Sequence, residues 1–407
     1  MNIWQQNLNK SDAAQQDLST PSTPNMYDIL VLQEPYIDFL GNTHANQRWY
    51  PLLPSMYHNN PKKTRTVTFI NKGILSSTWQ QIRVESQDVV AVSIDTAASL
   101  TTIFNIYNDG NHSNSLQALQ DTLEVNVQHP RSINPNRMIW AGDFNRHHPM
   151  WDEENNSHLF TTNNLDAAQI LIDLLADFSM SMALPKDIPT LRATCTKNLT
   201  WPNNVFCSSR ILGIITQCMT LPGLQPPCTD HFPIATTLDA SMEQSPDTLK
   251  LNWRMVNWDR VRKHLTTLLN KLPVLTEITM LEDFDSSLTS LTTAINTAVA
   301  ANVPCYNPSP CTKRRLTKEL FQAHSTMRCA TRLANNVTDD PSHPSHREYQ
   351  LQRNTYTNLI RSTKKRHWTD WLEEADDTSI WSINHLISGT STDGRRTSPI
   401  EDNHQHW

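Results

Sequence analysis

The tetrapeptide Gly142-Asp143-Phe144-Asn145 constrains this chain more than any other feature. It comes after Arg137-Met138-Ile139-Trp140-Ala141, an apolar run that reads as a strand entering a core. Further on, Thr229-Asp230-His231-Phe232-Pro233 leads into a second strand, Ile234-Ala235-Thr236-Thr237-Leu238. A third strand, Ile29-Leu30-Val31-Leu32-Gln33, ends in Glu34-Pro35-Tyr36, whose proline cannot continue a central strand, so Glu34 sits at the exit. Near the N-terminus, Asn2-Ile3-Trp4-Gln5-Gln6 runs into Asn7 and Asn9, with Ser11 placed to cap a helix. Carboxylate, amide and imidazole groups at strand ends are the parts needed for metal-assisted attack of water on a phosphate ester.

In this order the motifs resemble the endonuclease–exonuclease–phosphatase superfamily. Its members include apurinic/apyrimidinic endonucleases, DNase I-like nucleases and the endonuclease domain of non-LTR retrotransposons. The closer likeness is to the retrotransposon branch, particularly fungal elements. It is carried by residues 6–11, 32–36, 142–151, 198–209 and 229–233, and it spans 1–240. The resemblance implies a DNase I-like four-layer α/β sandwich, two packed β-sheets flanked by helices, with the site at one end of the sheets. It implies Mg²⁺, with Mn²⁺ as a substitute, held by Glu34; Asn7 and Asn9 would complete the shell directly or through water, and Asp230 would support it. Asp143 would position or deprotonate the attacking water, and Asn145 and Tyr107 would hydrogen-bond the phosphate. His231 would stabilise the pentacovalent state as an imidazolium. Asn203 is a departure, because the family usually carries Asp there to orient the histidine. An Asn accepts one hydrogen bond from the ring but brings no charge.

Each residue also has an ordinary reading. Glu34 can be a solvated loop residue. Asn7, Asn9 and the Gly-Asp-x-Asn stretch can be turn or cap residues. Tyr107 can close a sheet edge, and a lone His is more often structural. Five motifs in order favour the site reading for Glu34, Asp143 and His231; for Asn9 and Tyr107 the two readings stand level. His147-His148 invites a zinc reading, but no Cys or His lies at tetrahedral-site spacing. The family likeness makes that segment a loop with Trp151 packed beneath it.

A length of 407 residues exceeds one average domain. With 38% hydrophobic and 18% charged residues, the chain can bury a core and is not an obvious disordered polymer. A net charge of −6 counts against nonspecific nucleic-acid binding by the whole surface. The charge is uneven: residues 1–240 hold 21 acidic and 14 basic residues, and 241–407 hold 19 and 20. Seven cysteines without a CxxC pair, and a polar start lacking an apolar signal region, predict free thiols, a reducing compartment and no secretion. No run of 18 apolar residues predicts a membrane span.

Strands are expected over 66–70, 89–94, 100–107 and 204–207, and helices over 115–127 and 165–178. The second helix has an apolar face of Ile170, Leu171, Leu174, Leu175 and Phe178. A linker is expected at 241–250, a mainly α-helical region over 251–390 and a frayed polar tail over 391–407. Helices are expected there over 258–272, 281–303, 313–335 and 346–372. Residues 361–371, with Ile380-Trp381, are similar to the helical stretch before the reverse transcriptase of these elements. Lys364-Lys365-Arg366-His367 with Trp368 and Trp371 reads either as a nucleic-acid contact or, better on the residues alone, as one solvated helix face with docked tryptophans. The expected activity is nicking of one DNA strand, leaving 3′-hydroxyl and 5′-phosphate ends, weakened by Asn203. The expected partners are DNA and the element's RNA, and the nucleus is the expected place of action. The alternatives are an inactive remnant, or the same fold acting on another phosphate ester.

Overall fold

The computed structural model describes residues 1–18, 23–96, 99–128, 133–243, 256–272, 281–304, 317–337, 340 and 342–373. The strands among them are β1 (Asn2–Asn7), β2 (Ile29–Gln33), β3 (Trp49–Leu52), β4 (Thr66–Asn71), β5 (Trp79–Ile82), β6 (Val89–Asp95), β7 (Leu100–Tyr107), β8 (Met138–Asp143), β9 (Met180–Met182), β10 (Leu191–Arg192), β11 (Leu199–Thr200), β12 (Asn203–Ser208), β13 (Ile215–Thr220) and β14 (Ile234–Leu238). The α-helices are α1 (Asp12–Leu18), α2 (Thr23–Met26), α3 (Asn114–Gln128), α4 (Thr162–Asp177), α5 (Ser209–Leu212), α6 (Trp258–Leu269), α7 (Leu281–Asn302), α8 (Lys318–Asn335) and α9 (Pro344–Glu373).

Two six-stranded sheets form, in the orders β13-β14-β1-β2-β4-β3 and β5-β6-β7-β8-β12-β9. Successive residues of a strand face opposite sides of its sheet, and the sequence loads both sides with apolar groups. Ile3, Ile29, Val31 and Ile70 of the first sheet meet Val90, Val92, Ile103, Ile139, Ala141 and Val205 of the second. The outer face of the first sheet buries Trp4, Leu30, Leu32 and Phe69 against Ala14 and Leu18 of α1. The outer face of the second buries Phe104, Ile106 and Trp140 against α3 and α4. The result is the four-layer α/β sandwich expected.

The helix expected at 165–178 begins at Thr162, because the Thr161 side chain accepts a hydrogen bond from Asn164 N and caps it. Ile170 does not belong to its buried face. It is 47% exposed, while Ala168, Leu171, Leu174 and Leu175 form the stripe.

Two compact units divide the chain: one within Met1–Ser245 and Arg314–Trp407, the other within Pro246–Lys313. The smaller contains α6 and α7, with Val261, Ala294 and Ala298 buried. The segment 251–390 is thus shared between the units, and the helical hairpin of α8 and α9 belongs with the sandwich. Most of the linker expected at 241–250, Ile380-Trp381 and the tail over 391–407 lie outside the described residues. Among the described residues, Cys195, Cys207, Cys218, Cys228 and Cys329 are free thiols, and no helix is long and apolar enough to cross a membrane.

Candidate active site

Pairing register assembles the centre of the site. Asp143, the last residue of β8, lies opposite Tyr107 of β7 on one side and Asn203 of β12 on the other. Residues in register share a face of the sheet, so a phenol, a carboxylate and an amide line one rim. Gly142 permits this register: a Cβ there would lie 2.0 Å from the Ile106 carbonyl oxygen. The opposite sheet contributes Asn7, whose Nδ2 donates to Asp143 Oδ2 at 2.7 Å. Gln5 Nε2 donates to the Gly142 carbonyl at 2.8 Å, and Gln33 Nε2 to Asn105 Oδ1 at 2.7 Å. These buried amides tie the sheets together beneath the rim.

Asp143 is 1% exposed. Burial, with the negative charges of Glu34 and Asp230, pushes its carboxyl up to about 7, against the opposing hydrogen bonds from Asn7 and the Asn145 N–H. Glu34 lies just past β2 with φ of +43°, held by Glu34 N donating to the Arg65 carbonyl at 2.8 Å. Lys10 Nζ stands 3.7 Å from Glu34 Oε1. Asn145 also adopts positive φ (+49°) and donates from Nδ2 to the Asn108 carbonyl at 2.9 Å. Such backbone costs about 1–3 kcal/mol per residue and persists where the surroundings over-determine it. Tyr107 lies under the Arg65 guanidinium, 4.7 Å from its ring centroid. Burial first, then Glu34 and Asp143, raise its phenol.

His231 is 7% exposed, and its Nδ1 lies 2.7 Å from Asn203 Oδ1. That contact makes Nδ1 the protonated nitrogen and leaves Nε2 facing Asp230, whose Oδ1 is 3.8 Å away. Burial holds the ring down at about 3. Burial therefore favours the neutral form of the ring. The Asn203 Nδ2 is buried without a hydrogen-bond partner. Burial raises the Asp230 carboxyl.

The fold thus brings Asn7, Glu34, Tyr107, Asp143, Asn145, Asn203, Asp230 and His231 to one end of the sandwich. Asn9 differs. Its side chain is exposed, its φ is +49°, and its N–H donates to Asn7 Oδ1 at 2.8 Å. It stands in the turn after β1, where its N–H orients Asn7. His147 and His148 flank a buried Asp152: His147 Nδ1 lies 3.4 Å from Asp152 Oδ2, and the His148 N–H donates to the same oxygen at 2.9 Å. Trp151 is buried beneath them, as expected.

Three contributors escaped the sequence reading. Asn108 is fully buried, donates to the Phe144 carbonyl at 2.9 Å, and leaves its Oδ1 without a partner. Arg65 joins Tyr107 to Asp88 and Asp109. Arg146 pins the loop after Asn145 through the carbonyls of Ala167, Asp109, Asn145 and His112. The first ends a strand with an amide, which is a recognisable signal. The two arginines are invisible without the fold.

Among the described residues, no three His, Cys, Asp or Glu side chains converge as a complete metal cage. The donor set nonetheless fits a hard divalent cation that keeps most of its waters, since such an ion needs only one or two protein carboxylates. Glu34 supplies one, and the negative charges of Glu34 and Asp230 raise the Asp143 carboxyl where a cation would relieve them.

Residues 101–235 match the family Exo_endo_phos_2, described as endonuclease-reverse transcriptase. The match covers a third of the chain. No curated protein matches the sequence. Among solved structures, the chain is similar to the endonuclease domain of TRAS1, a telomere-specific non-LTR retrotransposon, at 15% identity and TM-score 0.43, covering 58% of this chain and 98% of that one. An AP endonuclease from Archaeoglobus fulgidus is similar at 16% identity and TM-score 0.43, covering 59% and 99%. A 3′-5′ exonuclease from Neisseria meningitidis is similar at 14% and 0.44, covering 59% and 100%.

Proposed function

We propose that this domain is a metal-dependent phosphodiesterase that nicks DNA, as in a retrotransposon endonuclease whose nick primes reverse transcription. The observation that supports it best is the hydrogen-bonded row across both sheets, Asn7–Asp143 with Tyr107 and Asn203 in register and His231 on Asn203. A carboxyl near 7 is poised to take a proton from water at neutral pH. The water oxygen bonds to phosphorus, the bond to the 3′ oxygen breaks with its electron pair going to that oxygen, and the alkoxide takes a proton from solvent to become the 3′ hydroxyl, with the phosphate retained on the 5′ side. Tyr107 O–H and Asn145 Nδ2 are the donors for the charge that develops on the phosphoryl oxygens. A phosphate anion at His231 Nε2 favours a protonated ring by supplying the charge that Asn203 lacks. Bound Mg²⁺ or Mn²⁺ would sit at Glu34, with Asn7 and Asp230 nearby, and polarise the phosphate. The element's RNA would be a second partner, and the nucleus the place of action.

The unpartnered Asn203 Nδ2 favours a second reading, a copy weakened or silenced at this position. Nicking of supercoiled plasmid by the full chain with Mg²⁺, beside an Asp143→Ala, His231→Ala double variant, separates the two. Nicking by the unaltered chain alone supports the nuclease. No nicking by folded protein favours the silenced copy. Release of phosphate from lipid or inositol phosphates instead would move the substrate class.

A further inference from the structure

Two contacts of the α8–α9 hairpin with the sandwich lead into the candidate site. The first is α1, which begins two residues after the Asn7–Lys10 turn. Asp17 on α1 is 1% exposed and receives three groups from the hairpin. Tyr356 O–H donates to Asp17 Oδ1 at 2.8 Å, His324 Nε2 lies 3.0 Å from the same oxygen, and an Arg328 nitrogen lies 3.8 Å from Oδ2. His324 Nε2 is also 2.8 Å from Arg328 Nε. Asp12 at the start of α1 pairs with Lys364 at 3.1 Å. Ala13 is buried with Leu320, Met327, Tyr356 and Ile360.

The second place is the segment that ends in Asp230 and His231. Cys228 Sγ lies 3.8 Å from Thr357 Oγ1, one residue beyond Tyr356. A Cβ on Gly223 would stand 3.0 Å from the Arg332 side chain, so α8 covers the start of this loop. The two segments are themselves joined, because Thr229 Oγ1 donates to the Asn7 carbonyl at 2.8 Å. A buried carboxylate with several partners is a rigid join, and losing one partner leaves charge uncompensated.

We propose that the hairpin is a positioning element of the site, with Asp17 and Tyr356 as positioning residues that hold the Asn7 turn and the Cys228–His231 loop in mutual register. Only the kinetic arm of the test rests on the phosphodiesterase reading. The hairpin is then a working part of the catalytic domain and not a passive tether.

The test uses the full chain with Tyr356→Phe, which removes a single hydroxyl, and Asp17→Asn. Amide hydrogen exchange is monitored in 7–11, 222–231, α9 and β8. The expected result is about tenfold faster exchange in 7–11 and 222–231 as well as α9, with β8 unchanged. In nicking, the Mg²⁺ concentration for half-maximal rate rises several-fold while KM for DNA stays put. Faster exchange in α9 alone overturns the proposal, since the hairpin would then be an appendage. Unchanged exchange everywhere overturns it too, since these groups would not hold the hairpin. If Asp17→Asn fails to fold, Tyr356→Phe decides. If the unaltered chain does not nick, the proposed function fails and the exchange result still stands.

Discussion

At the scale of single residues, the pair Asn203–His231 carries the most chemistry. An amide opposite Nδ1 fixes the tautomer but leaves the ring near 3, and it buries an NH₂ with nothing to bond. An unmade bond of this kind costs about 1–3 kcal/mol. Asn203→Asp replaces the orphan by a second acceptor and brings a charge 2.7 Å from the ring. The His231 pKa then rises, which an NMR titration of its ring protons reads directly. Nicking rises with it, by about tenfold or more. In serine-protease triads the reverse change costs roughly 10⁴-fold, and only the direction is carried over. An unmoved His231 titration would sink this account of the pair. Glu34 poses a different conflict. Its positive φ suits glycine, so Glu34→Gly should raise stability by about 1 kcal/mol while abolishing Mg²⁺-dependent nicking. Denaturant melts and plasmid assays on the same sample check both halves. A destabilised variant would show that the carboxylate contributes more to folding than its backbone strain costs.

At the scale of elements, legibility tracked periodicity. β7 and β14 were readable end to end because apolar and β-branched residues fill them between polar stops. β3, β5, β9 and β13 were not, because short or edge strands with half-exposed faces carry no strong pattern. Strand ends named the site residues, but the register between β7, β8 and β12 that makes them one row is a tertiary fact. So is the role of Gln5, Gln33 and Asn105: polar residues inside strands look like solvent-facing positions, yet here they bond sheet to sheet. The register also rests on Gly142. A methyl group at that position collides with the Ile106 carbonyl, which is backbone and cannot swing away. Gly142→Ala should cost at least about 1–3 kcal/mol and separate β7 from β8 at the rim, so that nicking falls further than stability does. Unchanged denaturation would mean that the two strands part freely.

At the scale of the whole molecule, acid is the informative perturbation. Burial pushes the Asp17 carboxyl up, but His324, Arg328 and Tyr356 more than offset it and leave it below the ordinary carboxylate range. Asp12 is also lowered: burial opposes the shift, and His44, Gln16 and Lys364 outweigh it. A carboxylate depressed on folding binds its proton more readily in the unfolded chain. Its stabilisation is complete above the unfolded value of about 3.9 and is lost as pH falls through the lower folded value. The join between α1 and the hairpin should therefore weaken progressively below about pH 4, and above that its strength should hold flat. Asp17→Asn removes the titrating group and leaves Arg328 and His324 facing an uncharged amide. It should cost about 3–5 kcal/mol at pH 7 and show a shallower loss of stability between pH 4 and 2 than the unaltered chain. Urea unfolding of both proteins across that range reads the difference. Parallel curves would mean that Asp17 does not titrate with folding, and that the apolar contacts of Ala13, Leu320, Met327 and Ile360 hold the hairpin by themselves.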